Sequence, residues 1–413
     1  MDCNYKKTYG GISMISVGID VSKGKSMVCV MKPYGEIVAS PYVVEHTEKE
    51  LESLTEMIFE LEEEVKVVME ATGAYHLPVL GFLLEREIFV SVINPLVMKK
   101  YASIALRKGK TDKIDSARIA NFGLDNWLRM EPYKPDEEIY GELKILGRQY
   151  SHYIKIQIQN KLALTNILDR TMPGIKKMLH HGSNATEKDK LADFVERYCH
   201  YDNITKMTER KFVESYNKWA KKKGYHQSES KAKKIYALAK DGISTLSSNM
   251  PSTKMLVLES IGVLKKVSKT LVVILSHMER LAKDLKEYET VLNMQGVGDI
   301  LAVRLIAEIG DVRRFHSGKA LIAYAGIDSP PYESGGFIGT KRGITKRGSS
   351  LLRKTGYEVM KCLKTVKPTE DAAVYEFILK KESEGKAKKV AKIAGLNKFL
   401  RIYYARVIEL YQE

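Results

Sequence analysis

Two short runs near the start of the chain, Ile15–Asp20 and Lys25–Met31, carry β-type patterning. They are joined by the turn residues Ser22, Lys23 and Gly24, and together read as a hairpin. Glu36–Ala39 supplies a third strand. Thr47–Glu64 is acidic and places Leu51, Leu54, Ile58 and Leu61 on one helical face. Val65–Glu70 is a short apolar strand closed by Thr72–Gly73. Leu77–Glu85 then reads as a helix, Ile88–Ile93 as a strand and Pro95–Leu106 as a helix. Thr111 is an N-cap for a last helix on which Ala117, Ala120, Leu124 and Trp127 recur at spacings of three and four. The order βββ-α-β-α-β-α-α predicts an α/β sheet domain over residues 1–130, with its first hairpins antiparallel.

Pro132 and Pro135 mark a linker, and beyond it the strands vanish. Leu143, Leu146, Tyr150, Tyr153, Gln157, Asn160, Leu164 and Ile167 alternate three and four apart. The same alternation runs from Leu264 through Leu271, Met278 and Leu285 to Leu292. Heptads of this kind predict a coiled-coil seam in a helical region over 131–292, the competing reading being a helix buried in its own core. Residues 171–260 hold lysine clusters (Lys218 and Lys221–Lys223; Lys231, Lys233 and Lys234) that read as solvated faces, with an RNA or DNA contact as the lesser alternative. From 293 to 413 the chain is mostly helical. It opens on Gly296-Val297-Gly298 between two helical runs, a helix-hairpin-helix-like segment whose turn suits one phosphate.

Charge narrows the class. Lys and Arg number 67 against 51 Asp and Glu, a net charge of +16, which points to polyanionic partners. No apolar run approaches the ~18 residues of a spanning helix, and the N-terminus lacks a signal-peptide core, so a cytoplasmic nucleic-acid protein with no membrane partner is expected. The four cysteines form no CxxC pair, which argues against a disulfide framework or zinc knuckle. Lys341, Arg342, Lys346, Arg347, Arg353 and Lys354 form a glycine-interleaved strip with no acid among them, suited to a phosphate backbone.

Three acidic sites in the first domain, four residues in all, are placed to converge. Asp20 ends the first strand, Glu70 ends the strand VKVVME, and Asp112 and Asp115 lie three apart on one helix face. Neighbouring strands run ~4.8 Å apart, so strand-end carboxylates can share a site with a helix crossing the same edge. Clustered carboxylates repel unless a cation neutralises them, and Mg²⁺ prefers such hard oxygen donors (Mn²⁺ is a possible substitute). Two ions so held can stabilise both the attacking and the leaving oxygen of an in-line phosphoryl transfer. Read singly, Asp20 is a turn former, Glu70 a rim charge and Asp112 a dipole-favoured helix acid.

The segments VGIDVSKGKSMVCV, VVMEATGAY and INPLVMKKYASIALRKGKTDKIDSARIA, followed late in the chain by MQGVGDILAVRLIAEIGDVRRF and ALIAYAGIDSPPYESGGFIGTKRGITKRGSSLLRKTGYE, resemble the IS110-type transposases, also described as bridge-RNA-guided DEDD recombinases. The resemblance covers roughly 15–130 and 290–360. It implies an RNase H-like (RuvC-like) nuclease domain, a coiled-coil region and a C-terminal transposase domain. It places the DEDD tetrad on Asp20, Glu70, Asp112 and Asp115, and a serine nucleophile on Ser334 in Glu333-Ser334-Gly335-Gly336. Ser317, Ser329, Ser349 and Ser350 compete nearby; Ser334 alone joins the Ala-Gly-Ile block to the basic block. The implied activity is transposition: cutting and rejoining donor and target DNA with Mg²⁺, guided by a bridge RNA, in a homo-oligomer (a dimer, or a tetramer in the active complex). The alternatives are a structure-selective RuvC-like endonuclease without strand transfer, an actin-like ATPase and a non-catalytic nucleic-acid scaffold.

Overall fold

A computed structural model describes residues 14–104, 111–135, 137–179, 189–329 and 343–412, with the backbone of 333–334 and 337–338. Contacts divide the chain after Pro135 into two compact units. The first contains β1 (Met14–Ser22), β2 (Lys25–Met31), β3 (Ile37–Glu45), α1 (Glu48–Phe59), β4 (Glu64–Glu70), α2 (Leu77–Leu84), β5 (Val90–Ile93), α3 (Pro95–Ala102) and α4 (Asp112–Asp125), in the expected order.

These strands form one sheet ordered β3-β2-β1-β4-β5. β1 pairs antiparallel with β2 and parallel with β4, and β4 pairs parallel with β5. The central strands β1 and β4 are flanked on both sides and bury apolar residues at their middles, with Val17, Ile19, Val67 and Met69 fully buried. β3 runs longer than Glu36–Ala39 because Val43 and Val44 continue to pair with Met27 and Ser26. Pro41 does not end it: β3 is an edge strand, where proline's missing N–H need not break a ladder bond. Helix α1 packs Leu51, Leu54 and Ile58 into the sheet's core, as its stripe predicts.

Helix α4 lies across the sheet. Thr111 caps it by accepting from Ile114 N at 3.3 Å. Its buried residues include Ser116, Ile119, Ala120, Phe122 and Gly123, so the closest face is rotated slightly from the predicted stripe. Ala117 and Leu124 pack at its margin beside Cys29 and Met31, and Trp127 falls in the 3₁₀ turn that follows.

The second unit comprises α5 (Glu138–Thr171), α6 (Ile175–Leu179), α7 (Lys190–Tyr198), α8 (Asp202–Thr205), α9 (Glu209–Lys223), α10 (Glu229–Asp241), α11 (Pro251–Lys283), α12 (Tyr288–Leu292), α13 (Asp299–Ile309), α14 (Gly318–Ala325), β6 (Glu333–Ser334), β7 (Phe337–Ile338), α15 (Ser350–Val366), α16 (Ala373–Ser383) and α17 (Lys388–Glu409). The two predicted heptad stripes meet each other within the chain. Leu164 and Leu168 share a core with Val257 and Ile261, while Leu143 and Tyr150 share another with Leu271 and Met278, so α5 and α11 run antiparallel. Gln157 donates to Ser268 at 3.0 Å midway, a polar pair that pins the register. The second stripe is not one unbroken helix. It stops at Lys283 and resumes at Tyr288, and in the gap Glu287 is buried, accepting from Tyr140 at 2.7 Å and Tyr411 at 2.6 Å.

Between the two long helices, α6–α10 enclose an aromatic core built on Phe194, Tyr198, Phe212, Tyr216 and Trp219. Lys218, Lys221, Lys222, Lys233 and Lys234 face solvent from α9 and α10. Asp193 ties this bundle to α11. It accepts from Tyr225 at 2.8 Å and pairs with Lys265 at 2.8 Å. Burial pushes its carboxyl up, but the bonds from Lys265 and Tyr225 and the nearby charges outweigh this and hold it below the ordinary range. A depressed folded value gives stability that is present above the unfolded value and lost as the pH falls through the folded one. Asp193→Asn should therefore cost about 1–2 kcal/mol in urea melts at pH 7, and the gap should close as the pH drops below about 4. An equal gap at both ends of that range would remove Asp193 from this role.

Candidate active site

In the first unit, Ser16, Gly18 and Asp20 alternate onto one face of β1. A Cβ built on Gly18 would lie 2.3 Å from both Ala120 N and Ser116 O. One on Gly123 would lie 2.3 Å from Ser16 Oγ. The backbone of α4 therefore rests directly on β1, and its first turn, carrying Asp112 and Asp115, is carried toward the Asp20 end of the strand. On the other side of β1 the parallel register pairs Ile19 with Met69, which sets Asp20 level with Glu70.

The result is a cleft of about 780 Å³ lined by all four predicted acids, Asp20, Glu70, Asp112 and Asp115. Asp20 and Asp112 also share a smaller adjoining pocket with Ser22 and Lys25. Asp115 is paired with Arg118 at 3.0 Å, and Asp112 is exposed at the helix N-terminus, where the dipole favours an acid. Among the described residues no three acids stand close enough to ligate one ion as placed. The donor set, carboxylate oxygen throughout, fits a hard cation such as Mg²⁺ and not zinc.

Thr72, Lys99 and Arg118 line the same cleft and were not singled out from sequence. Arg118 was detectable as the i+3 partner of Asp115. Lys99 had no such signal: it arrives through α3, which Asn94 caps by accepting from Leu96 N at 2.9 Å.

In the second unit β6 and β7 pair antiparallel with Ser334 opposite Phe337. The residues between them are Gly335 and Gly336, a composition favoured in two-residue hairpins. The Ser334 side chain, Lys341 and Arg342 lie outside the described residues. The flanking stem is tied by backbone hydrogen bonds. Thr345 N donates to Asp328 O at 3.0 Å, Lys346 N to Gly326 O at 2.9 Å and Ser349 N to Tyr324 O at 2.7 Å. Arg353 donates to Ala325 O at 2.9 Å and Gly348 O at 3.1 Å, so it braces the stem. Lys346, Arg347 and Lys354 are exposed.

Two of the competing serines have structural work. Ser317 caps α14, and Ser349 caps α15 while donating to the buried Glu308 carboxylate at 2.8 Å. Ser350 opens α15, and Ser329 donates to Gly343 O at 3.4 Å. Gly296 packs against Leu363 of α15, while Gly298 lies exposed at the N-cap of α13. Asp299 occupies the first turn there, so a carboxylate already answers the dipole at that turn.

Comparison with known proteins matches these two regions. The family model for IS110-type DEDD transposases, described as "Transposase", matches residues 17–173, and that of the "Transposase IS116/IS110/IS902 family" matches 288–376. The transposase for insertion sequence element IS1111A of Coxiella burnetii is 33% identical over 76 residues, 18% of this chain and 21% of that protein, so the match spans about a fifth of its length. The pilin gene-inverting protein of Moraxella lacunata is 23% identical over 340 residues, 82% of this chain and 79% of that one. Among solved structures, T. thermophilus RuvC in complex with a Holliday junction substrate aligns with 29% of this chain and 99% of its own, at 13% identity and a TM-score of 0.23. No helix among the described residues is long and apolar enough to cross a membrane. With two family models of these transposases placed in order on its two ends and together matching more than half of its residues, the chain belongs to the IS110 family of insertion-sequence transposases.

Proposed function

We propose that this chain is a site-specific DNA recombinase that cuts and rejoins strands with Ser334 as nucleophile and Asp20, Glu70, Asp112 and Asp115 as the metal-holding acids. The observation that carries the reading is the convergence of all four acids on one cleft, from two strands and a helix far apart in sequence. Asp20, Glu70, Asp112 and Asp115 would hold Mg²⁺, which would supply charge neutralisation at the phosphate and ease loss of the serine proton. The chain's own residues do the rest. Lys99 and Arg118, the cations lining the cleft, face the scissile phosphate and moderate the mutual repulsion of the acids. Ser334 Oγ forms a bond to phosphorus as the bond to the leaving strand oxygen breaks, and that oxygen takes up a proton. A hydroxyl of another strand then attacks the phosphoserine, restoring the serine. No bond energy is lost to water.

Rejoining is favoured over simple cleavage by the Moraxella relative, whose name describes inversion of a gene. The net charge of +16 suits both donor and target DNA and a guide RNA, the latter in keeping with the family resemblance. The heptad stripes of α5 and α11 are consumed within the chain, so a second copy would use their outer surfaces, where Ile158, Leu162 and Val273 are exposed.

The test is recombination between two plasmid sites flanking the element, in Mg²⁺, with any RNA encoded beside the reading frame supplied. Wild type should give recombinants and a protein–DNA adduct on a denaturing gel. Ser334→Ala should give neither, and Asp20→Ala should lose both despite keeping the serine. Cutting by Ser334→Ala without an adduct would establish hydrolysis in place of transesterification.

A further inference from the structure

Between Gly385 and Ile408, spanning nearly all of α17, the sequence carries seven Lys or Arg and no Asp or Glu. Arg406 answers Asp371 at 2.8 Å, and Lys398 is held on Ala373 O at 2.9 Å. Lys388, Lys389, Lys392 and Arg401 meet no carboxylate among the described residues. Lys388 and Lys389 even occupy the first turn of the helix, where the dipole disfavours cations. Folding alone does not explain that charge.

Arg401, together with Lys398, lines a cleft of about 680 Å³. Its apolar surface comes from Ile393, Ala394 and Ile402 of α17, Phe377 of α16, and Ile327 and Ile344. Asn397 brings one amide into it, able both to donate and to accept. A site for phosphate alone would have no use for an aromatic and aliphatic floor. A site for an apolar protein segment would not place two cations, Lys398 and Arg401, in its wall.

We propose that this cleft receives an unstacked nucleobase of the DNA strand led to Ser334. The base packs on the isoleucine surface beside Phe377, its edge meets the Asn397 amide, and the flanking phosphates run along Lys398 and Arg401. Ile327 and Ile344 stand on the two stretches of chain that lead into and out of the segment carrying Ser334. That choice of DNA strand rests on the recombinase reading; the cleft and its charge do not. Extruding a base is also least costly where the duplex is already opened, as during strand exchange.

The probe is single-stranded DNA carrying 2-aminopurine, mixed with the full-length chain in EDTA so that no chemistry occurs. Wild type should change the 2-aminopurine emission on binding, and should bind an abasic oligonucleotide about tenfold more weakly than an intact one. Ala394→Trp, which fills the cleft, should abolish the emission change and bind both oligonucleotides equally. Val390→Trp, at an exposed lining position, should do the same without burying new bulk in the core. Ser334→Ala should keep the full response, which separates failure of the cleft from failure of the nucleophile assignment. A response undiminished in both tryptophan variants, equal binding of abasic and intact DNA by wild type, or a response to RNA but not to DNA would each overturn the proposal.

Discussion

Gly18→Ala is expected to lower the stability of the first unit by about 3 kcal/mol and to reduce recombination at least a hundredfold. The added methyl would sit 2.3 Å from Ala120 N and from Ser116 O, and 2.8 Å from Ala120 Cα. These are backbone atoms of a helix, so no rotamer change relieves the overlap; α4 itself must lift from β1. Lifting it moves Asp112 and Asp115 away from Asp20 and Glu70, and displacements of about 1 Å are enough to cost two orders of magnitude in catalysis. Denaturant unfolding and the plasmid assay read the two effects separately. Gly262→Ala serves as the control: a Cβ there, on an exposed position of α11, meets nothing within 4 Å, and alanine should stabilise the helix by about 0.5–1 kcal/mol. Wild-type stability in Gly18→Ala would show that α4 is not seated as described, and the convergence of the four acids would lose its mechanical basis.

Gly18 also shows where sequence reading stopped. The alternation in Ile15–Asp20 marks a strand, the run VKVVME another, and Thr111 a helix start, because strand pairing and capping are local physics. From those the four acids could be assigned to strand ends and one helix face. What the pattern could not carry is depth: a glycine in a strand reads as a weak position, and only the packed helix reveals that its missing side chain sets the approach of α4. The heptads of α5 and α11 show a related limit. Their spacing demands a partner helix but is silent on whose, and here the antiparallel match of Leu164 and Leu168 to Val257 and Ile261 supplies it from the same chain. Asp284–Glu287 interrupts the second stripe for a reason outside any heptad, since the buried Glu287 carboxylate is satisfied by Tyr140 and Tyr411 from far along the chain. Arg353 likewise looked like one more cation in a basic strip. Its guanidinium is committed to two carbonyls, a role that composition does not encode.

Gly348→Ala should separate the two halves of the chemistry. A Cβ at this position would lie 2.0 Å from Tyr324 O and 2.7 Å from Gly326 N, between the two sides of the stem that carries Ser334. The bonds from Ser349 N to Tyr324 O and from Lys346 N to Gly326 O cannot both survive that intrusion. Because Ser349 also caps α15 and holds the buried Glu308 carboxylate, the strain reaches the core through a group that tolerates little loss. The adduct and the recombinants should therefore fall at least a hundredfold, and the second unit should lose about 2–3 kcal/mol. The first unit, whose sheet and acid cleft do not involve this stem, should unfold as in wild type. Ser349→Ala calibrates the result: it removes the cap and one partner of Glu308 while leaving the backbone path open, so its stability cost should be comparable but its adduct yield higher. If Gly348→Ala formed the adduct as well as wild type, the geometry of this stem would not govern delivery of the serine, and Ser334 would have to act from a segment indifferent to how its two ends are held.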